Sequence, residues 1–149
     1  MGKQHLFRLD RGGDGGSAGR RSINSLSTCA AMTTSPVSIH PYFRAHPGKL
    51  KTIKGLLPRF VEKTATEPKV LHYEFTINGD EIFCREAYQD AEGALAHITN
   101  VGELLAEMLT LSDLIRIEFH GPDAELEKMK EPLAHLNAAW FSRVARLER

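Results

Sequence analysis

The chain is poor in the features that assign a function quickly. Cysteine occurs only twice in 149 residues, as Cys29 and Cys84, and two isolated thiols make neither a disulfide framework nor a zinc site. No apolar run approaches the roughly 18 to 20 residues of a membrane-spanning helix. A soluble protein is therefore expected, without a membrane span and with the cytoplasm as its compartment. Net charge is also lacking, since 19 Lys and Arg balance 19 Asp and Glu. Nucleic-acid binding leaves a basic footprint, so nucleic acid is not expected as a partner. His40, His46, His72, His120 and His135 are scattered, without the spacing of metal ligands. No metal is expected.

Large apolar side chains are scarce in residues 1–35, which hold six of the 12 glycines and five serines. Lys3, Arg8, Arg11, Arg20 and Arg21 against Asp10 and Asp14 give that stretch a net charge of plus three, which leaves minus three for the remainder. Such a segment buries too little surface to offset the entropy of ordering. It is expected to be a disordered leader or, with Met32 just ahead of the first patterned segment, an over-called start. Its Arg and Ser content is also compatible with organelle import. One domain is expected over residues 36–149.

What is present is periodicity. Val37, Ile39, Pro41 and Phe43 alternate with polar or amphipathic neighbours as in a half-buried strand, and Pro41 predicts that this strand is an edge or is interrupted. Leu50, Ile53, Leu57, Phe60, Val61 and Thr64 fall on one helical stripe. Gly55 and Pro58 are expected to bend or split that helix. Leu71, Tyr73, Phe75 and Ile77 alternate as a second strand, and Asn78–Gly79 suits a two-residue turn into a third, Glu81 to Tyr88. Asp90 can cap a helix carrying Ala91, Ala94, Leu95 and Ile98, which Asn100 and Gly102 break. A further helix from Val101, a strand with Ile115, Ile117 and Phe119, a helix from Pro122 kinked at Pro132, and a short strand with Trp140 complete the order.

This is an α+β, ferredoxin-like βαββαβ arrangement with an additional C-terminal helix and short strand. Helices on one face of a sheet leave the other face open, so pairing into a homodimer, a dimeric α+β barrel, is expected.

A hairpin register set by Asn78–Gly79 pairs Leu71 with Glu86 and Tyr73 with Cys84. Glu86 then lies on the apolar face, while His72, Glu74, Phe83 and Arg85 share the opposite one. A carboxylate among apolar side chains carries a desolvation cost unless it is hydrogen-bonded. Such a group either serves as a base or is satisfied by a helix amide or water. His97 lies about 60° outside the arc of Ala94, Leu95 and Ile98. A pocket margin is predicted for it, where a histidine either exchanges protons near neutral pH or, more commonly, is simply a surface residue.

The run Glu86, Ala87, Tyr88, Gln89, Asp90 through Leu95, Ala96, His97 resembles the antibiotic biosynthesis monooxygenase superfamily. That pattern is a strand Glu, a nearby aromatic, an acidic helix start, and a helix ending in Leu, any residue, His. Tyr88 stands where tryptophan is common, and Leu71 to Glu74 also looks like the family's preceding strand. The resemblance spans residues 37 to 120 and implies a dimeric barrel. In cofactor-free members the substrate supplies the electrons that reduce dioxygen, so no flavin or metal is implied. Carried onto this chain, His97 is the base or orienting residue, Glu86 positions it, and Tyr88, Tyr73, Phe75 and Leu95 form the substrate-binding wall. The expected function is cofactor-independent monooxygenation of an aromatic or quinol-like molecule. The alternatives are a non-catalytic ligand-binding or structural dimer, and haem binding or degradation.

Overall fold

A computed structural model of the chain describes residues 35–149. Residues 1–34, and with them all but the last residue of the expected leader, lie outside the described residues. The elements are β1 (Val37–Ala45), α1 (Leu50–Thr64), β2 (Val70–Asn78), β3 (Glu81–Tyr88), α2 (Ala91–Asn100), α3 (Gly102–Leu111), β4 (Ser112–Gly121), α4 (Asp123–Lys130) and β5 (Ala139–Ser142). The strands form one five-stranded sheet in the order β2-β3-β1-β4-β5. All neighbours are antiparallel except β4 and β5, which run parallel. The fold is ferredoxin-like α+β, as the sequence pattern implies.

Three expectations built on proline are corrected in whole or in part. β1 is central rather than an edge. The sheet absorbs Pro41 with an irregular ladder: the pairing with β3 lapses at His40 and Pro41, and the register with β4 shifts between Tyr42 and Phe43. α1 is one unbroken helix through Gly55 and Pro58. Pro58 is exposed, so its ring points to solvent, where water can satisfy the carbonyl one turn back. The buried stripe of α1 takes in Leu56 and leaves Val61 46% exposed. α4 ends at Lys130, so Pro132 follows the helix instead of kinking it.

The β2–β3 hairpin turns one residue later than predicted. Asn78 pairs with Glu81, and Gly79, at a φ of 62°, opens the two-residue turn with Asp80. The register therefore slides by two residues, which preserves the faces because side chains alternate with a period of two. Glu86 stays on the helix-covered face, opposite Tyr73 rather than Leu71. Leu71 sits at a register shift and is 49% exposed.

Two clusters of buried side chains lie under the helices. One joins Phe43 and Ile82 to Ile53, Leu56, Phe60 and Met108 of α1 and α3. The other joins Val37, Tyr88 and Phe119 to Ala94, Leu126 and Met129 of α2 and α4. Burying each large apolar side chain contributes about 1.5–3 kcal/mol. Trp140 of β5 stacks on Phe119 at 4.6 Å between ring centroids, closing the second cluster.

Candidate active site

Chain-local chemistry brings α2 onto the sheet at one spot. Asp90 caps the helix by accepting from the Gly93 amide at 2.8 Å. The buried Glu125 carboxylate of α4 accepts from the Ala91 amide at 2.9 Å, satisfying another free N–H of that terminus. Gly93 permits close approach, since a Cβ there would lie 2.8 Å from the Lys69 Cβ and 3.4 Å from the Tyr88 Cβ. One turn further on, His97 is pressed against β3. The buried arc of α2 is Ala91, Gly93, Ala94 and His97, so His97 lies inside the packed face and is 3% exposed.

The imidazole bridges two carboxylates. Nε2 lies 3.0 Å from Oε2 of Glu86, and Nδ1 lies 2.8 Å from Oε1 of Glu67. A neutral imidazole has one N–H and one lone pair, which would set that lone pair against a carboxylate. A ring protonated on both nitrogens can donate to both. Burial opposes charge on His97, but the bonds and charges of Glu86 and then Glu67 outweigh it and hold the pKa above its ordinary value. The Tyr88 hydroxyl also donates to Oε2 of Glu86. Both donors thus converge on one oxygen, and Oε1 receives no hydrogen bond among the described residues. Burial first, and then the Glu86 charge, push the Tyr88 hydroxyl far above its ordinary range, so it stays a donor.

A cavity of about 100 Å³ lies between the sheet and α1, α2 and α3. Its wall is apolar apart from Tyr73, Cys84, Glu86 and His97. Leu109, which is 44% exposed, also lines it and marks a way out to the surface. Burial raises both the Tyr73 hydroxyl and the Cys84 thiol well above their ordinary ranges, so both are neutral. The cavity is smaller than the roughly 150 Å³ that houses benzene in an apolar protein core, and it does not admit a porphyrin.

The structure therefore brings Glu86, His97, Tyr73 and Phe75 together on the cavity wall. Tyr88 supports Glu86 from behind and is not part of that wall, while Leu95 packs into the second cluster. Sequence reasoning missed Glu67 and Asn100. Asn100 follows His97 by three residues on the same helix, which places the two on one side and was the available signal. Glu67 sits in a turn without periodicity and gave none.

A ferredoxin-like domain whose helices close an apolar cavity over a buried carboxylate–imidazole pair is the class of protein these observations define. No protein-family model and no curated protein matches the chain. Among solved structures, MupZ from Pseudomonas fluorescens is 37% identical, with a TM-score of 0.74, over 77% of this chain and 95% of its own. A candidate antibiotic biosynthesis monooxygenase from Chloroflexus aurantiacus is 22% identical, with a TM-score of 0.51, over 59% of this chain and 93% of its own. Rv0793 from Mycobacterium tuberculosis is 21% identical, with a TM-score of 0.51, over 57% and 92%. The chain belongs to the same family as MupZ and shares the fold of the antibiotic biosynthesis monooxygenase-like structure.

Proposed function

We propose that the chain is an acid–base enzyme in which Glu86 takes a proton from a small hydroxylated aromatic molecule held in the cavity. The carrying observation is the asymmetry of Glu86: Tyr88 and His97 both hold Oε2, and Oε1 is left for a ligand. A His97 ring protonated on both nitrogens keeps no lone pair, so in that state the base role passes to Glu86. The imidazolium compensates the carboxylate's charge in an apolar surrounding.

The reaction that fits a quinol-like substrate is monooxygenation in which the substrate supplies the electrons. Glu86 removes a phenolic proton, and the electron-rich ring reduces dioxygen, forming a carbon–oxygen bond to a peroxide. The oxygen–oxygen bond then breaks: the ring carbon loses its hydrogen as a proton and becomes a carbonyl, and the distal oxygen leaves as water. One quinol and one dioxygen thus give one hydroxyquinone and one water. The dry cavity wall protects the anion from competing protonation. The cavity of about 100 Å³ is below the roughly 150 Å³ that houses benzene, so the hydroxyl-bearing edge of a ring enters towards Glu86 and the rest of the ligand extends out past Leu109.

A second reading is proton transfer without oxygen, favoured by the fact that Glu86 and His97 require only a dissociable proton on the ligand. Oxygen uptake and product formation with a quinol panel, run in air and under nitrogen, separate the two. Uptake abolished by Glu86→Gln supports monooxygenation. Turnover that persists under nitrogen supports the second reading, and no turnover in either atmosphere counts against both.

The helix-free face of the sheet supports a homodimer. Arg85 pairs there with Glu74 and Arg116 with Glu118, beside His40 stacked on Phe83. Charges of both signs on one face allow it to meet its own copy about a two-fold axis. A monomeric mass by light scattering would rule this out.

A further inference from the structure

Glu67 is the one member of the buried charged group that does not border the cavity. The cavity is lined by Glu86 and His97, and Glu67 stands on the far side of the imidazole. Both its oxygens reach Nδ1, at 2.8 and 3.1 Å. The Asn100 amide donates to the same carboxylate at 2.9 Å and to the Lys63 carbonyl at 3.2 Å, tying it to the end of α1. His97 and Asn100 are thus two successive side chains on one side of α2 that hold a single carboxylate. Its side chain is only 10% exposed. A carboxylate in a surface turn has no need of such burial for solubility or for capping, and it is held here at a cost in hydration.

We propose that Glu67 is a positioning residue of the acid–base site: by accepting from Nδ1 it fixes the plane and the positive charge of His97, and so reserves proton abstraction for Glu86. This rests on the acid–base reading of the cavity. The alternatives inside the molecule are few. The ionisable groups facing His97 are Glu86 and Tyr88 from β3, Tyr73 from β2 and Glu67 from the turn after α1; Cys84 lines the same cavity, and Lys63 approaches through its carbonyl. The rings of Tyr73 and Tyr88 lie 5.2 and 5.0 Å from the imidazole centroid and carry no charge. Glu86 alone would leave Nδ1 free to lose its proton. The ring would then be a neutral base, able to take a proton from Glu86 or a ligand, and the two cavity groups would no longer have separate roles.

Glu67→Gln keeps the size of the side chain and a carbonyl oxygen facing Nδ1, but removes the charge. Two readouts follow on the whole chain. By heteronuclear NMR of the histidine ring, the midpoint of His97 is expected to fall by about 1 to 3 pH units, the usual effect of one adjacent charge, while His72 is unmoved. Glu67→Asp, with Asn100 retained, is expected to recover part of that change. In the quinol assay the alkaline limb of the kcat–pH profile is expected to move down with the NMR midpoint, with KM changed less than kcat. An unchanged His97 midpoint in a folded Glu67→Gln variant overturns the proposal, and so does a shifted midpoint with an unshifted alkaline limb. Because the NMR readout needs no substrate, a shifted midpoint in a protein that turns over nothing rejects the catalytic reading while leaving the electrostatic link between Glu67 and His97 in place.

Discussion

His40 and His97 lie on opposite sides of the same sheet, and their surroundings displace their pKa values in opposite directions. On the open side, burial and then the neighbouring His120 push His40 below its ordinary value. On the covered side, burial acts on His97 in the same sense but is outweighed by Glu86 and Glu67. Burial by itself therefore does not decide the charge of a histidine; the partners enclosed with it do. Exposed contacts show the other limit. His72 and Glu74 lie 3.4 Å apart with side chains 49% and 42% exposed, where water and salt screen the pair and about 0–1 kcal/mol is the usual value.

The largest effect is expected at Glu86. Glu86→Gln removes the proposed base, and turnover in the quinol assay should drop by roughly 10²- to 10⁴-fold. His97→Ala leaves two buried carboxylates without their cation, and urea unfolding should show a loss of about 3–5 kcal/mol. Adding Glu86→Gln to that variant should restore part of the loss. Gly93→Ala forces a methyl group against Lys69 and Tyr88 and should cost about 1–3 kcal/mol as α2 moves off the sheet. A pH series then sharpens the contrast between the two histidines. The folded pKa of His97 is raised, so its stabilisation is full below the unfolded value near 6.5 and is lost as pH rises through the folded value. The folded pKa of His40 is lowered, so its penalty appears as pH falls from the unfolded value towards the folded one. Unfolding free energies of His97→Gln and His40→Gln, each subtracted from wild type, should therefore slope oppositely with pH. The smallest effect belongs to His72→Ala, expected within about 0.5 kcal/mol of wild-type monomer stability.

Much of this architecture is legible in the sequence because the information is local. The alternation from Leu71 to Ile77 and from Glu81 to Tyr88 places Glu86 among apolar neighbours, and a two-residue error in register does not change its face. The Asp90 cap and the break at Asn100 and Gly102 are equally local. Helical arithmetic places His97 at a margin because it weighs the apolar residues Leu95 and Ile98, whereas packing centres the buried arc on Ala91, Ala94 and His97. Pro41 and Pro58 mislead for a related reason. Their effect depends on which neighbour takes up the missing donor, and that is a property of the sheet ladder and of the solvent side of α1. Glu67 is illegible because its partner is 30 residues away and nothing periodic connects them.

The proposed chemistry requires that Glu86 accept a proton from a hydroxyl placed in the cavity. A one-ring nitrophenol, titrated into the protein at a pH below its own solution pKa, reports this directly through its absorption. A phenolate band is expected on binding to the wild type, and its loss with Glu86→Gln. A bound phenol that stays protonated in the wild type, or a phenolate band that survives Glu86→Gln, would contradict that chemistry.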